Sequence, residues 1–146
     1  MRSLWERYYD DADAVIFVVD VTSSNSKLNE AKEAFHSLKS NEQLAGAPIL
    51  IFLNKIDVLG EKHCDQDGHE YFYSTVNELI DKLDLFPNEQ QRDWMVYKDE
   101  TNNDGLIDLE GDHLIRLCYG SAKTGEGVKN ALKWLIATTK DQIAQN

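Results

Sequence analysis

Two short polar segments, each ending an apolar run, hold the residues best suited to chemistry: N-K-I-D at 54–57 and S-A-K at 121–123. A carboxylate presents two acceptor oxygens side by side. That pair complements a flat heterocycle with a ring N–H next to an exocyclic amine, the edge that guanine offers. Asp57 is the candidate for that edge, and Asn54, which both donates and accepts, suits N7 while tying neighbouring loops together. The stems of Lys55 and Lys123 would flank the ring as apolar slats with their charges in solvent. Ser121 and Ala122 complete the second segment, with the backbone N–H of Ala122 directed at O6. Taken alone, N-K-x-D arises easily by chance, and a charged strand end is usually a solvated loop. The S-A-K segment at a second strand end is what gives it weight. Asp20 ends a third apolar run and is expected to cap or tie a loop beside the site.

Such a site needs strands to carry it. AVIFVVD (14–20) and PILIFLN (48–54) are apolar throughout and rich in β-branched residues, which predicts strands buried on both faces. Between them, residues 27–44 carry Leu28, Ala31, Phe35 and Leu38 at helical spacing, with Ser24, Asn25 and Ser26 as candidate caps. Strand, helix and strand with short joins form a right-handed crossover, the unit of a parallel sheet. HLIRLCYG (113–120) is expected as a third parallel strand. GVKNALKWLIATTK (127–140) reads as a last helix that buries Val128, Ala131, Leu132, Leu135 and Ile136. Thr75 and Glu78 form a capping box for a helix carrying Val76, Leu79, Ile80 and Leu83 and stopped by Pro87. RSLWERYYDD (2–11) predicts a short helix with Leu4, Trp5, Tyr8 and Tyr9 on one side, packed into the core or set at a partner-facing surface.

The predicted fold class is α/β, one domain over residues 1–146, with polar insertions at about 60–70 and 88–112. The second insertion is expected to hold a hairpin of WMVYK (94–98) and LIDL (106–109). Ligands of parallel sheets bind beyond the carboxyl ends of the strands, where both polar segments fall.

The formal net charge of −11 argues against broad binding to nucleic acid or to anionic lipid. Cys64 and Cys118 make no disulfide framework, which fits a reducing, cytoplasmic setting. No apolar run approaches the ~18 residues of a membrane span, no secretory pattern opens the sequence, and Arg2 stands where N-myristoylation needs glycine. ETNNDGLIDLEG (100–111) has the outline of an EF-hand loop, but it begins with Glu100 and offers Gly111 where a bidentate glutamate is required. It reads as an acidic turn. His63, Cys64 and His69 lack a second cysteine pair and read as a polar loop, so no metal site is expected.

N-K-I-D followed by S-A-K resembles the base-recognition pair of small GTPases. LWERYYDDADAVIFVVD, LNEAKEAFHSLKSNEQLAGAPILIFLNKID and GEGVKNALKWL are similar, in order and type, to the ADP-ribosylation factor (Arf) family, in particular its Arf-related, Golgi-associated branch. The likeness covers roughly residues 2–57 and 113–140. It implies a small-GTPase, P-loop NTPase fold of three layers, in which the AVIFVVD strand is interior and pairs with a phosphate-loop strand. It also implies GTP or GDP as ligand, effector and exchange-factor partners, and a role in vesicle traffic at the Golgi. Several expected parts do not occur in these 146 residues: G-x-x-x-x-G-K-S/T, the switch threonine, D-x-x-G-G-Q and an amphipathic N-terminal helix. The sequence is therefore expected to be the C-terminal part of a GTPase, with its N-terminal strands absent and the outer edge of AVIFVVD bare. No catalytic residue is expected, Mg²⁺ is expected only with the missing part, and the alternative is a nucleotide-independent interaction module.

Without a phosphate loop the ligand loses several charge-assisted hydrogen bonds, worth about 1.5–3 kcal/mol each. A fluorescent GDP analogue titrated into the 146-residue chain with Mg²⁺ should show no binding tighter than the micromolar range. Nanomolar binding would refute this reasoning.

Overall fold

Strands and helices alternate along the residues that the computed structural model describes, which are 2–58, 78–84, 106–109 and 115–145. A short α1 (Arg2–Trp5) runs into a 3-10 turn over Glu6–Asp11. Then come β1 (Val15–Asp20), α2 (Asn25–Lys39), a second 3-10 turn (Glu42–Leu44) and β2 (Ile49–Asn54). Residues 78–82 are helical, and β3 (Leu106–Leu109), β4 (Ile115–Tyr119) and α3 (Val128–Gln145) complete the order.

The sheet order is β1-β2-β4-β3. β1, β2 and β4 are parallel, with Asp20 beside Asn54 and Leu53 beside Tyr119, so their carboxyl ends finish level. β3 runs antiparallel to β4, Leu106 beside Cys118 and Leu109 beside Ile115. The LIDL segment is thus a strand as expected, but the pairing observed for it is with β4; residues 94–98, its expected hairpin partner, lie outside the described residues.

Alternation along the strands sorts the core onto two faces. Phe17, Val19, Ile49, Ile51, Leu53, Ile115 and Leu117 point to one side, where Leu28, Phe35 and Leu38 of α2 and Leu79, Ile80 and Leu83 cover them. Phe17 and Phe35 meet edge to face, with centroids 5.6 Å apart. Leu50, Phe52 and Cys118 point to the other side, under Ala131 and Leu135 of α3. Helices on both faces of a mainly parallel sheet make this a three-layer α/β arrangement, as its two continuous apolar runs predict.

Local signals set the helix limits. The Ser24 hydroxyl accepts the Lys27 N–H at 3.4 Å and starts α2. The expected helix over 27–44 is broken by Ser40 and Asn41: the Ser40 hydroxyl donates to the His36 carbonyl at 2.9 Å, and the Asn41 side chain caps the following turn by accepting Gln43 N–H at 2.9 Å. Gly46, at φ 82°, then turns the chain into β2. At the end of the helical residues 78–82, Asp84 adopts φ 49°, a left-handed stop that precedes Pro87. Thr75, Val76 and Pro87 lie outside the described residues.

Two packing expectations need correction, and one left open between core and surface is decided. Ile16 and Val18 are 47% and 58% exposed, so β1 is buried on one face only, while every residue of β2 from Ile49 to Leu53 is buried. Among the described residues β1 is the edge strand, and α3 covers β2 and β4 rather than β1. Trp5 and Tyr8 are exposed, and only Tyr9 packs on the core; the aromatics instead border an open groove of about 840 Å³ with Ile16, Val18 and α2. On α3, Leu132 and Ile136 are exposed, each turned ~100° from the buried Ala131 and Leu135. Trp134 takes the flank, with the Arg116 guanidinium 5.2 Å above its ring.

Leu117 is fully buried and Ile136 is not. Leu117→Ala should therefore cost about 2–5 kcal/mol in urea denaturation, and Ile136→Ala less than about 0.5 kcal/mol.

Candidate functional site

Because β1, β2 and β4 end level, the polar residues that follow them meet at one rim of the sheet. Gly120 N–H donates to the Leu53 carbonyl at 2.9 Å, and Ile56 N–H donates to the Gly120 carbonyl at 3.2 Å, which carries the β2–β4 pairing past the strands. Beyond it, the Ala122 N–H donates to Asn54 Oδ1 at 2.9 Å, joining residues 68 apart in sequence. Asn54 also accepts the Val21 N–H at its backbone carbonyl, at 3.1 Å. One asparagine thus ties together the three loops that follow β1, β2 and β4.

The loop after β4 is folded on itself. Ser121 is fully buried; its carbonyl accepts Gly125 N–H at 2.8 Å, its N–H donates to the Glu126 carbonyl at 3.0 Å, and its hydroxyl accepts Thr124 N–H at 3.2 Å. Ser121 therefore shapes the loop from inside, while Ala122 and Lys123 are its exposed face. Gly120 makes this closure feasible, since a Cβ there would sit 2.1 Å from the Glu126 carbonyl oxygen. Gly127, at φ 77°, also leaves no room for a side chain, with a Cβ position 2.6 Å from the Tyr119 carbonyl oxygen.

On the N-K-I-D side, Lys55 has φ 71°, a left-handed conformation uncommon for a residue with a side chain. Its ammonium lies 2.7 Å from Asp20 Oδ2. Asp20 Oδ1 accepts Thr22 N–H at 2.8 Å and the Thr22 hydroxyl at 2.6 Å. Burial, the largest single influence, pushes the Asp20 carboxyl up, but the Lys55 and Thr22 hydrogen bonds and the Lys55 charge together outweigh it and hold the pKa at about 2. Asp57 is half-buried, and among the described residues it forms no ion pair.

All six sequence-predicted site residues, Asn54, Lys55, Asp57, Ser121, Ala122 and Lys123, thus lie on two loops that Asn54 joins. The Ala122 N–H expected to face O6 is donated to Asn54 Oδ1. Thr22 was not among the expected residues; the D-x-T spacing after β1, in which an aspartate accepts the N–H two residues on, is the signal that finds it. No group of three or more His, Cys, Asp or Glu placed to hold a metal occurs among the described residues. His63, Cys64 and His69, and most of the EF-hand-like stretch, lie outside them.

A profile described as the ADP-ribosylation factor family matches residues 1–97. This chain belongs to the ADP-ribosylation factor family. Arf-like protein 3 of Chlamydomonas reinhardtii is 27% identical over 140 residues, covering 96% of this chain and 59% of the relative. ADP-ribosylation factor 1 of Brassica rapa subsp. pekinensis is 43% identical over 140 residues, covering 96% of this chain and 58% of its own length. ADP-ribosylation factor-related protein 1 of Rattus norvegicus is 47% identical over 58 residues, 40% of this chain and 28% of the relative. The Arf-family chain described here thus spans less than two thirds of these relatives. Its sheet and helices agree with part of the family's α/β GTPase fold, and no helix among the described residues is long and apolar enough to cross a membrane.

The lowered Asp20 pKa has a consequence for stability. A carboxylate depressed in the folded state stabilises the fold above its ordinary pKa of 3.8, and that stability is lost as pH falls toward about 2. Urea midpoints measured from pH 5 to pH 2 should fall more steeply for the wild type than for Asp20→Asn, and the two profiles should converge at the acid end.

Proposed function

We propose that this chain is the guanine-recognising part of an Arf-like small GTPase that acts in vesicle traffic at the Golgi. The observation that carries the reading is the Asn54–Ala122 hydrogen bond, which holds the N-K-I-D and S-A-K loops against each other at the carboxyl rim of the sheet. In this reading Asp57 accepts from N1–H and the 2-amino group of guanine, and its lack of an ion pair among the described residues keeps both oxygens open. Lys55 and Lys123 border the ring, and Ser121 keeps the second loop closed beneath Ala122. Asn54 Oδ1 keeps the Ala122 N–H, which it shares with O6, while the amide N–H of the same asparagine donates to N7. In this reading the two loops grip the base; the family's phosphate- and Mg²⁺-binding motifs do not occur in these 146 residues. The Golgi role, with effector and exchange-factor partners, follows the resemblance to the Arf-related branch, to which the 47% identity with the rat protein adds support.

A second reading, an interaction module that works without nucleotide, is favoured by one feature: the outer edge of β1, with Ile16, Val18, Trp5 and Tyr8 exposed along the groove. Nucleotide selectivity separates the two. Titrated with GMP, the wild-type chain should show amide shifts at Asn54, Asp57 and Ala122 that AMP fails to produce. In Asp57→Asn, preference should move from GMP toward XMP, because an amide donates to the second carbonyl of xanthine. Equal responses to GMP and AMP would leave the interaction module as the better account.

A further inference from the structure

Lys55 and Asp57 stand two residues apart, and the base reading asks opposite things of them: the lysine stem must stay beside the ring, and the carboxylate must stay unpaired. A lysine with an untethered ammonium satisfies neither. Its long side chain samples many rotamers, and the carboxylate two positions on is a ready counter-ion for it.

The rim holds a third group that resolves this conflict. Asp20 lies beside Asn54 in the β1–β2 register, so its carboxylate faces the N-K-I-D turn from the neighbouring strand. Oδ1 is engaged by the N–H and hydroxyl of Thr22, at 2.8 and 2.6 Å, which fixes the orientation of the carboxylate. Oδ2 is left for Lys55 Nζ, at 2.7 Å. The left-handed backbone at Lys55 sets the root of the side chain, and Asp20 holds its tip.

We infer that Asp20 is a positioning residue for the base cleft, which captures the Lys55 ammonium so that the lysine stem is fixed as one wall of the cleft and Asp57 is left free for its ligand. The inference rests on the base-recognition reading above and adds a residue and a mechanism to it. Asp20 touches no ligand; it acts through Lys55, by ordering before binding a side chain that otherwise has to be ordered during it.

The test is a set of GMP and AMP titrations of the isotopically labelled 146-residue chain, read by amide shifts. Asp20→Asn keeps the size and the Thr22 contacts of the side chain while removing the charge that holds Lys55. It should weaken GMP binding about three- to tenfold, the cost of ordering one long side chain, and Asp20→Glu should recover part of the loss. Lys55→Met keeps the apolar stem and removes the ammonium, so adding Asp20→Asn to it should produce no further loss. A purely structural role for Asp20 predicts instead the same loss in both backgrounds, and that outcome overturns the inference. Wild-type GMP affinity in Asp20→Asn overturns it as well, while leaving the base reading intact. A wild type that fails to distinguish GMP from AMP removes the base reading itself, and the role of Asp20 with it.

Discussion

The hydrogen bond from Ala122 N–H to Asn54 Oδ1 is the constraint on which the rim depends. Backbone hydrogen bonds at Gly120 join the loops after β2 and β4 at their base, and this contact carries the join outward to Ala122. With it they share one boundary, and Asp57 and Lys123 belong to a single surface. The bond exists because β2 and β4 are neighbours in register and because Gly120 lets the loop after β4 close on its own Glu126 carbonyl. A side chain at that glycine would push the loop outward and withdraw Ala122 from the asparagine.

Charge at the rim is distributed with the same economy. The chain is strongly acidic overall, yet the one ion pair at the site joins Asp20 to Lys55 and leaves Asp57 unpaired among the described residues. Lys55 is about half exposed, so solvent screening discounts the share of the pH-dependent stability that the pair supplies. What it supplies is direction: a flexible cation is pointed at one carboxylate rather than the other. Thr22 matters for the same reason, since it fixes which oxygen of Asp20 remains available.

Much of this was legible in the sequence, and the gaps have physical causes. β2 is apolar at every position and buried at every position from Ile49 to Leu53, so run length alone identified it. β1 has the same composition, and its bare outer edge agrees with the family resemblance, but composition does not show which strands a helix covers. That is why Ile16 and Val18, equally apolar, are exposed, with Trp5 and Tyr8 along the same groove. The helical face of α3 was drawn too wide by periodicity, because a helix lying on two strands buries a narrow stripe. The six candidate site residues stand out by type and spacing, and the structure sets their two segments side by side. The Asp20–Lys55 contact was only glimpsed as a loop tie, because the backbone twist at Lys55 that makes the reach feasible carries no sequence signature.

The Asn54–Ala122 contact joins positions 68 residues apart, and the geometry that supports it runs through strand adjacency rather than through the polypeptide between them. Closing a longer excursion costs little, about 0.6 kcal/mol for each doubling of its length. Chain length between β2 and β4 is therefore a loosely constrained variable, provided that β3 and residues 78–84, whose Leu79, Ile80 and Leu83 cover the core, are kept.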